Sequence, residues 1–424
     1  MVPSVMFAAA LLSLSPQVTI LHEFVGNGDG ILPEAGLVSD RSGALYGTTA
    51  VAGATDHGIV FRLTPKRTGY SETILYNFKG KPDGFYPIAR LAMDSAGNLF
   101  GTTWLGGLSP KPCNHDGCGT VFELLRSSGY TERVLYRFTA GTDGYEPTSG
   151  LLSDGTGSWY GTSSQGGAYN CGVVYKLTLS GSHVKESVIF TFPGQSGGCY
   201  PQGDLISDRS GALYGTTSGG GNPNGHDGYG TVFKLTPSKA GFQEQVIYAF
   251  NGADGYGPAA GLVMDPSGAL FGTTQFGGTI ACPDLPPSTP AGCGNVFKLA
   301  PAGTSYVESV LYAFQGVVTH AGNKGDGAFP EAAPTLDAKR NIYGTTLEGG
   351  YMECLFGCGI VFELKATPGG YREKILHLFA GPNYEDGAYP IGGLLAAPSG
   401  RFFGTTSQGG SPNVQGGTAF LLTL

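Results

Sequence analysis

The stretch Ser39–Thr49, SDRSGALYGTT, is repeated without a single change at Ser207–Thr217. An identity of this length between two distant segments indicates that the chain was built by copying a unit. The end of the stretch, Gly-Thr-Thr, marks seven units, although the third copy reads Gly-Thr-Ser. The copies begin at Gly47, Gly101, Gly161, Gly215, Gly272, Gly344 and Gly404.

Each unit contains four short strand-like segments. In the first unit they are AGLVSD (35–40), ALYGTT (44–49), GIVFRLT (58–64) and ETILYNF (72–78), and we name them strands A to D. Alternating apolar residues, with Gly, Pro and Asp between the segments, predict β-strands joined by tight turns. Four antiparallel strands repeated seven times predict an all-β fold, the seven-bladed β-propeller. A solenoid of the same repeats is the competing architecture.

The two ends of the chain favour the propeller over the solenoid. The last unit stops after its third strand, GTAFLLTL (417–424), and the missing fourth strand is found at the other end as VTILHEF (18–24). The N-terminal strand is therefore predicted to complete the last blade and close the ring. Closure removes the exposed terminal faces that a solenoid has to cap.

Large aromatic residues recur in register on strands B and C and predict the core between the blades. Burying one such side chain contributes about 1.5–3 kcal/mol, so the whole set matches the scale of a large core. We also expect the glycine of Gly-Thr-Thr to lie where a Cβ would strike the adjacent blade, and its threonines to hydrogen-bond between blades. The aromatic residues are Tyr46, Phe100, Tyr160, Tyr214, Phe271, Tyr343 and Phe403 on strand B, and Phe61, Phe122, Tyr175, Phe233, Phe297, Phe362 and Phe420 on strand C.

The composition argues against several classes of protein. Of the 424 residues 41% are hydrophobic and 13% are charged, which is too apolar for a disordered chain, and the 73 glycines show no collagen period. The formal net charge is −8 and the Lys and Arg residues are scattered, so we expect no nucleic-acid partner. No apolar stretch reaches the roughly 20 residues that a membrane span needs.

The N-terminus carries a short apolar run, Val5–Leu14, followed by small residues. This pattern is typical of a signal peptide, although the basic residues that usually precede the apolar run are missing. We predict an atypical signal peptide over residues 1–15, an exported chain, and a single propeller domain over residues 16–424. An ordinary apolar tail is the alternative.

Eight cysteines occupy connections that the blade topology places on one face. In an antiparallel blade the B–C and D–A connections emerge on the same side, and every cysteine lies in one of them. An even number at such positions in an exported chain predicts disulfides rather than metal ligands, and no C-x-x-C spacing occurs. The predicted pairs are Cys113 with Cys118, Cys171 with Cys199, Cys282 with Cys293, and Cys354 with Cys358.

The repeat consensus is L-x-x-D-x-x-G-x-L-Y-G-T-T, followed by Gly-Gly, G-T-V-F-K-L, L-Y-x-F and D-G-x-x-P. It resembles the GloVer tandem repeat of bacterial surface proteins, the choice-of-anchor group, from about residue 18 to residue 424. The resemblance implies a bacterial, exported β-propeller and implies no activity. The chain shows no C-terminal sorting tail, which favours release or periplasmic residence over anchoring. The strand order also resembles NHL-type propellers, some of which are enzymes, but a fold alone does not give function.

Function is expected where the copies differ. After the proline of each D–A connection, strand A usually begins with small or apolar residues, and four copies break this rule. Glu34 and Glu331 directly follow the proline, whereas Arg90 and Asp204 occupy the third position after it. Because strand A is innermost, these four side chains are predicted to form a ligand-binding polar ring at the mouth of the central channel. Unselected variation at a solvated rim is the alternative.

Two further features distinguish the connections. Six D–A connections carry Asp-Gly, which predicts an Asx-turn in each, whereas the connection after the third blade reads Gly197-Gly198-Cys199 and is expected to use a crosslink instead. The fifth and sixth units are separated by the longest spacing because of two long loops, 275–293 and 315–329. These loops are a second candidate for ligand binding, and a neutral insertion is the alternative.

The sequence therefore predicts an extracellular or periplasmic, monomeric repeat protein with a binding or scaffolding role. The ligand is unknown and expected to be polar, such as a glycan, and no cofactor, metal site or catalytic residue is assigned. The alternative is a hydrolase or lyase that acts on extracellular polysaccharide at the channel mouth, because paired carboxylates near an arginine can perform acid–base chemistry.

Overall fold

The computed structural model describes residues 15–81, 83–111, 113, 116–221, 228–278, 282, 292–316, 325–350, 353–354, 356–410 and 416–424. Within these residues seven antiparallel sheets, each ordered A-B-C-D, form a seven-bladed β-propeller, so the predicted fold class is confirmed. No helix in these ranges is long and apolar enough to cross a membrane. The predicted signal peptide, apart from Ser15, lies outside them and stays a prediction.

The strands of a blade lengthen from the channel outward. In blades 1 to 7 the A strands are Val38–Ser39, Ala92–Met93, Leu152–Ser153, Ile206–Ser207, Val263–Met264, Thr335–Leu336 and Leu395–Ala397. The B strands are Leu45–Thr49, Leu99–Thr103, Ser158–Ser163, Leu213–Gly219, Leu270–Thr274, Ile342–Thr346 and Arg401–Thr406. The C strands are Ile59–Pro65, Thr120–Leu125, Val173–Ser180, Thr231–Ser238, Asn295–Ala302, Ile360–Thr367 and Thr418–Thr423. The D strands are Tyr70–Asn77, Thr131–Arg137, His183–Thr191, Gly241–Ala249, Ser305–Ala313, Gly370–Leu378 and Gln17–Glu23.

Strand A is shorter than the six residues predicted from its pattern. In blade 1 only Val38 and Ser39 pair with strand B, because residues 34–37 line the central channel instead. A further short strand, Cys199–Pro201, pairs with strand B of blade 4. Two short 3-10 turns, Arg126–Ser128 and Gln195–Gly197, complete the secondary structure of the described residues.

The first strand of the chain closes the ring as predicted. Gln17–Glu23 pairs antiparallel with the last strand, Thr418–Thr423, and so supplies strand D of blade 7. The two ends of the ring are also joined by a side chain, because the Thr405 hydroxyl of blade 7 donates to the Ala35 carbonyl of blade 1 at 3.0 Å. Blade 7 is therefore built from both ends of the chain.

The fourteen aromatic residues of strands B and C form the core between neighbouring blades. All fourteen are less than 10% exposed. Tyr46 of blade 1 and Phe122 of blade 2 belong to one hydrophobic cluster, and the other clusters combine adjacent blades in the same way. The repeated residues thus serve packing, as their register predicts.

The Gly-Thr-Thr glycines are required inside their own blade, so the expected clash with the adjacent blade is wrong. Gly47 lies opposite Phe61 in the antiparallel ladder, and a Cβ on Gly47 would lie 2.6 Å from the Phe61 ring. The same strand-C ring approaches the other six glycines to 2.4–2.6 Å. The ring therefore occupies the space above the facing residue, and only glycine leaves room for it.

The first threonine of Gly-Thr-Thr joins adjacent blades at five of the seven junctions among the described residues. In each case its hydroxyl donates to a carbonyl at the start of strand A in the next blade, as expected from the sequence. The pairs are Thr102 with Ser149, Thr216 with Ala260, Thr273 with Ala332, Thr345 with Gly392 and Thr405 with Ala35.

All four predicted disulfides are present. The Cα–Cα distances are 5.2 Å for Cys113–Cys118, 4.4 Å for Cys171–Cys199, 4.9 Å for Cys282–Cys293 and 5.2 Å for Cys354–Cys358. Every pair belongs to B–C or D–A connections, so the disulfides share one face of the ring.

A clamp closes the outer end of six blades. After blade 1, Asp83 accepts the hydroxyl of Tyr76 at 2.5 Å and the backbone N–H of Lys79 at 3.0 Å. The aspartates thus hold the end of the preceding strand D, and bond backwards along the chain rather than forming the predicted forward Asx-turn. The side-chain pairs are Asp83 with Tyr76, Asp143 with Tyr136, Asp254 with Tyr248, Asp326 with Tyr312 and Asp386 with His377. After blade 7, Asp29 accepts the backbone N–H of Val25 at 3.1 Å and lies 3.4 Å from Nε2 of His22.

The junction between blades 3 and 4 has no clamp. Phe190 stands where the other D strands carry Tyr or His, and Gly197 replaces the aspartate. The Cys171–Cys199 disulfide crosses this junction instead. Both clamp partners have thus changed together at the site where a covalent bond is available.

Six D strands also place a glutamate at the junction with the preceding blade. In each glutamate one carboxyl oxygen is buried without a hydrogen-bond partner, and burial raises its pKa to about 7. At Glu132 the charge of Asp83, from the clamp of the preceding blade, adds to this effect on the pKa. The six residues are Glu72, Glu132, Glu186, Glu244, Glu308 and Glu373.

Candidate functional site

Each D–A connection is wedged between two blades by its proline. The ring of Pro147 lies against Gly119 of the preceding blade, where a Cβ would come within 2.5 Å of it. The same contact is made at all seven junctions, which positions the start of every strand A beside the channel. The pairs are Pro33 with Gly417, Pro87 with Gly58, Pro147 with Gly119, Pro201 with Gly172, Pro258 with Gly230, Pro330 with Gly294 and Pro390 with Gly359.

The residue before each of these prolines has a left-handed backbone. Its φ lies between +57° and +64° in all seven connections, and six of the seven residues are not glycine. Such a conformation is costly for a residue with a Cβ and persists only where its surroundings hold it in place. The residues are Leu32, Tyr86, Glu146, Tyr200, Gly257, Phe329 and Tyr389.

Hydrogen bonds on both sides hold this residue. The N–H of Glu146 donates to the Cys118 carbonyl of the preceding blade at 3.0 Å, and its own carbonyl accepts from Ser164 at 3.2 Å. Cysteines supply the carbonyl on the preceding blade at four junctions. They are Cys118, Cys171, Cys293 and Cys358, one from each disulfide. The disulfides thus stiffen the rim of the channel mouth.

All four residues predicted for the polar ring line one cavity at the channel mouth. Its volume is about 530 Å³, and it is bounded by the starts of the A strands. The structure therefore brings together Glu34, Arg90, Asp204 and Glu331, which are widely separated in sequence. That they bind a ligand remains a prediction.

Arg90 and Asp204 form an ion pair in the wall of this cavity. The Nε of Arg90 donates to Oδ2 of Asp204 at 3.2 Å, and the backbone N–H of Gly150 donates to Oδ1 at 2.6 Å. The pair thus spans from blade 2 to blade 4 across the start of blade 3. It also borders a second cavity of about 320 Å³, which later residues of the A strands such as Val38 and Met93 line.

The remaining two predicted residues are glutamates with raised pKa values. Burial raises the pKa of Glu34. At Glu331, burial and then the charge of Glu34 raise the pKa to about 7, against the opposing effect of a hydrogen bond from the Gln275 side chain. Glu331 therefore changes charge closer to neutral pH than an exposed glutamate does, and the pKa of Glu34 is shifted in the same direction.

Sequence reasoning missed two residues that join this group. Gln275 contacts Glu331, and Glu348 has a pKa of about 7 because of its burial and then the charge of Glu331. Each lies one or two residues after a Gly-Thr-Thr copy, at a position where the units differ. That variation was the available signal, but it gave no indication that these ends of strand B face the starts of strand A.

Half-buried aromatic residues occur at the left-handed positions of the D–A connections. Tyr86 packs edge-on against Trp104 with ring centroids 6.0 Å apart, and Tyr200 and Tyr389 occupy the same left-handed position in other blades. The predicted long loops, 275–293 and 315–329, lie largely outside the described residues, so their role stays a prediction. Among the described residues no group of three or more His, Cys, Asp or Glu side chains is arranged to hold a metal ion.

The comparisons with known proteins agree with the repeat and the fold. Residues 112–285 match the family model described as the Gloeobacter/Verrucomicrobia repeat. No curated protein matches the chain.

Two solved structures illustrate the fold. The extracellular domain of a protein named as a one-component system of B. thetaiotaomicron is 13% identical with a TM-score of 0.55, and the match covers 96% of this chain and 42% of that chain. A protein of Bacteroides fragilis named as a 6-phosphogluconolactonase is 12% identical with a TM-score of 0.50, and the match covers 88% of both chains. At these identities the likeness shows the fold alone.

Proposed function

We propose that this chain, which carries the Gloeobacter/Verrucomicrobia repeat and folds as a seven-bladed β-propeller, is an exported binding protein. Its ligand is a polar, hydroxyl-rich molecule such as a glycan, and it enters the cavity at the channel mouth. One observation carries the proposal: the four residues that break the repeat pattern at the start of strand A all line the same cavity.

The shape and chemistry of the cavity support binding. Its volume of about 530 Å³ falls within the range of about 300–1,000 Å³ that small-molecule sites occupy. Arg90 supplies hydrogen-bond donors, whereas Asp204 and the glutamates supply acceptors, and hydroxyl groups can satisfy both. The wedged prolines and the disulfides hold the walls, which lowers the conformational entropy that binding would cost.

The disulfides support export. Four disulfides form and persist in oxidising compartments, which favours an extracellular or periplasmic location. The ring closes on its own first strand, so blade 7 needs no partner to complete it, and this supports a monomer. Size-exclusion chromatography with light scattering tests the monomer directly.

A glycan array probed with the purified chain tests the function, and a blocking variant tests the location. Ala259 lines the cavity, so A259W should fill it and abolish binding of any glycan that the wild type retains. T73W places the same bulk on the exposed outer strand of blade 1 and should bind normally. Binding that survives A259W but is lost when loops 275–293 and 315–329 are shortened would move the site to those loops.

A hydrolase or lyase remains a second candidate because of one observation. Glu331, with a pKa of about 7, lies close enough to Glu34 to feel its charge. Two neighbouring carboxyl groups can act as acid and base on a glycosidic bond. Release of reducing ends from polysaccharide by the wild type and not by E331Q would establish this activity. If A259W cleaved polysaccharide as fast as the wild type, the channel mouth would be excluded as the active site.

A further inference from the structure

Within the part of the chain that the structure describes, two of the seven junctions lack the inter-blade threonine hydrogen bond. The hydroxyls of Thr48 and Thr162 are buried and have no partner among these residues, and the two residues are 1% and 0% exposed. By analogy with the other five junctions, their acceptors would be the carbonyls of Ala89 and Gly203. These two residues directly precede Arg90 and Asp204.

The correlation holds around the whole ring. The threonine bond is present at the five junctions where the third residue after the proline is glycine or alanine, and absent at the two where it is charged. The five small residues are Gly36, Gly150, Gly261, Ala333 and Gly393. The strand starts that carry the ion pair are therefore those that lack the bond to the preceding blade.

The packing at the ring centre accounts for this. A Cβ on Gly150 would lie 2.8 Å from the Arg90 carbonyl and 3.0 Å from Oδ1 of Asp204. The starts of strand A in blades 2 and 4 therefore pack directly against the start of strand A in blade 3. Asp204 also accepts a hydrogen bond from the backbone N–H of Gly150. The ion pair thus joins the starts of blades 2 and 4 beside blade 3, and among the described residues Thr48 and Thr162 have no acceptor there.

The ion pair cannot be explained by stability. Arg90 is 54% exposed and Asp204 is 29% exposed, and such pairs contribute little because water competes with them. Two buried hydroxyls without partners destabilise the fold by more than that. A feature that weakens the ring at two junctions is expected to serve binding, as strained features of proteins often do.

The terminal amino groups of Arg90 indicate what kind of ligand the cavity binds. Among the described residues only Nε of Arg90 has a hydrogen-bond partner, so its two terminal amino groups face the cavity as donors. Beside them Asp204 keeps acceptor capacity, and the pair has no net charge. Adjacent donors and acceptors without net charge complement two neighbouring hydroxyl groups, each of which can donate and accept.

We propose that Arg90 and Asp204 are the specificity-determining pair of the mouth, that they bind a vicinal diol of a neutral sugar, and that the missing Thr48 and Thr162 bonds are the structural cost of positioning them. The diol assignment rests on the proposed function. The structural cost does not, and it can be tested without any ligand.

The stability test compares matched threonines by thermal melting. T102V and T216V remove existing bonds and should lower the Tm by a few degrees, whereas T48V and T162V should leave it unchanged or raise it. In the R90A/D204A background the missing bonds should form, so that variant should melt higher than wild type and T48V should now lower its Tm. Equal losses for T48V and T102V in the wild type, or no gain in R90A/D204A, would overturn the structural cost.

The binding test uses labelled mannotetraose and galactotetraose as neutral probes and tetragalacturonate as the acidic probe. A neutral probe should bind with little dependence on salt, and R90A and D204A should each weaken it at least tenfold while R372A, on an exposed outer strand, should not. Neutral-probe binding that survives R90A/D204A, or binding of the uronate alone, would overturn the recognition. Absence of binding to every probe would overturn both the recognition and the proposed function, whatever the threonine variants show.

Discussion

The outer rim and the channel mouth of this propeller follow opposite rules. At the rim the same clamp recurs at six junctions, and its only exception, between blades 3 and 4, replaces both partners together and carries a disulfide. At the mouth the equivalent positions hold glutamate, arginine, aspartate or a small residue, and two threonine bonds are missing. The repeated clamp residues stabilise the ring, whereas the residues that vary at the mouth, two of which lie at the junctions without the threonine bond, are the ones we propose for ligand binding.

Removal of the closing strand should have the largest effect. Deleting residues 1–24 takes away strand D of blade 7 and its whole ladder with Thr418–Thr423, so the ring should open and the Tm should fall by more than about 10 °C. Differential scanning calorimetry measures this, and deletion of residues 1–15 is the control that keeps the strand. A melt that does not change on deletion of residues 1–24 would contradict closure at the rim.

The disulfide at the exceptional junction should contribute more than a local one. Loop-closure entropy gives about 3.5 kcal/mol for a crosslink of the span of Cys171–Cys199 and about 2 kcal/mol for one of the span of Cys113–Cys118. C171A/C199A should therefore lose more stability in urea unfolding than C113A/C118A, and the lost clamp at that junction should widen the gap. Equal losses would show that the disulfide does not substitute for the clamp.

A single clamp should make a moderate contribution to the free energy of unfolding. Y76F removes the hydroxyl that Asp83 accepts and should cost about 1.5–3 kcal/mol, which is typical of a hydrogen bond to a charged group. F190Y is the matched control, because no aspartate follows that strand and the new hydroxyl has no partner to gain. A stabilising F190Y, or a neutral Y76F, would break the distinction between the two kinds of junction.

The six buried glutamates of the D strands should make the stability of the fold depend on pH. Their pKa is raised to about 7 in the fold from a value of 4.5, so the folded state holds more protons than the unfolded state between these values. Stability should therefore be highest at acidic pH, fall as pH rises from about 4.5 to 7, and level off above that. Chemical unfolding measured at pH 5, 6, 7 and 8 gives the slope.

One glutamate should carry a small part of this slope. Burial and the charge of Asp83 raise the pKa of Glu132. The positive charges of Arg137 and Lys79 lower it. The charge of Glu132 in turn acts on the Tyr76 hydroxyl of the clamp. E132Q should raise the Tm at pH 8 by about 1 °C and leave the Tm at pH 5 nearly unchanged. The control is E385Q, in an exposed part of a connection, which should alter neither value. A Tm that rises with pH in the wild type would contradict the sign of the effect.

Much of the fold could be predicted because it is local and repeated. The pairing of the cysteines followed from the side on which two kinds of connection emerge, and the closing strand from the match of residues 18–24 to the other D strands. The Gly-Thr-Thr glycine was assigned to the wrong neighbour because register within a blade and contact between blades produce the same periodic pattern. Only the ladder that sets Gly47 opposite Phe61 distinguishes them.

The number of blades, the closure, the disulfides and the buried aromatic residues could all be predicted from the sequence, because a periodic chain assigns every residue a place within its unit. It also identified the four residues at which the mouth departs from the repeat. Which of these residues meet follows only from the arrangement of the folded blades. Arg90 reaches Asp204 two blades away, Gln275 reaches Glu331, and two threonines lose their acceptors. Contacts across the channel depend on how seven blades curve around one axis and on side-chain length, and neither quantity is encoded in the period of the repeat.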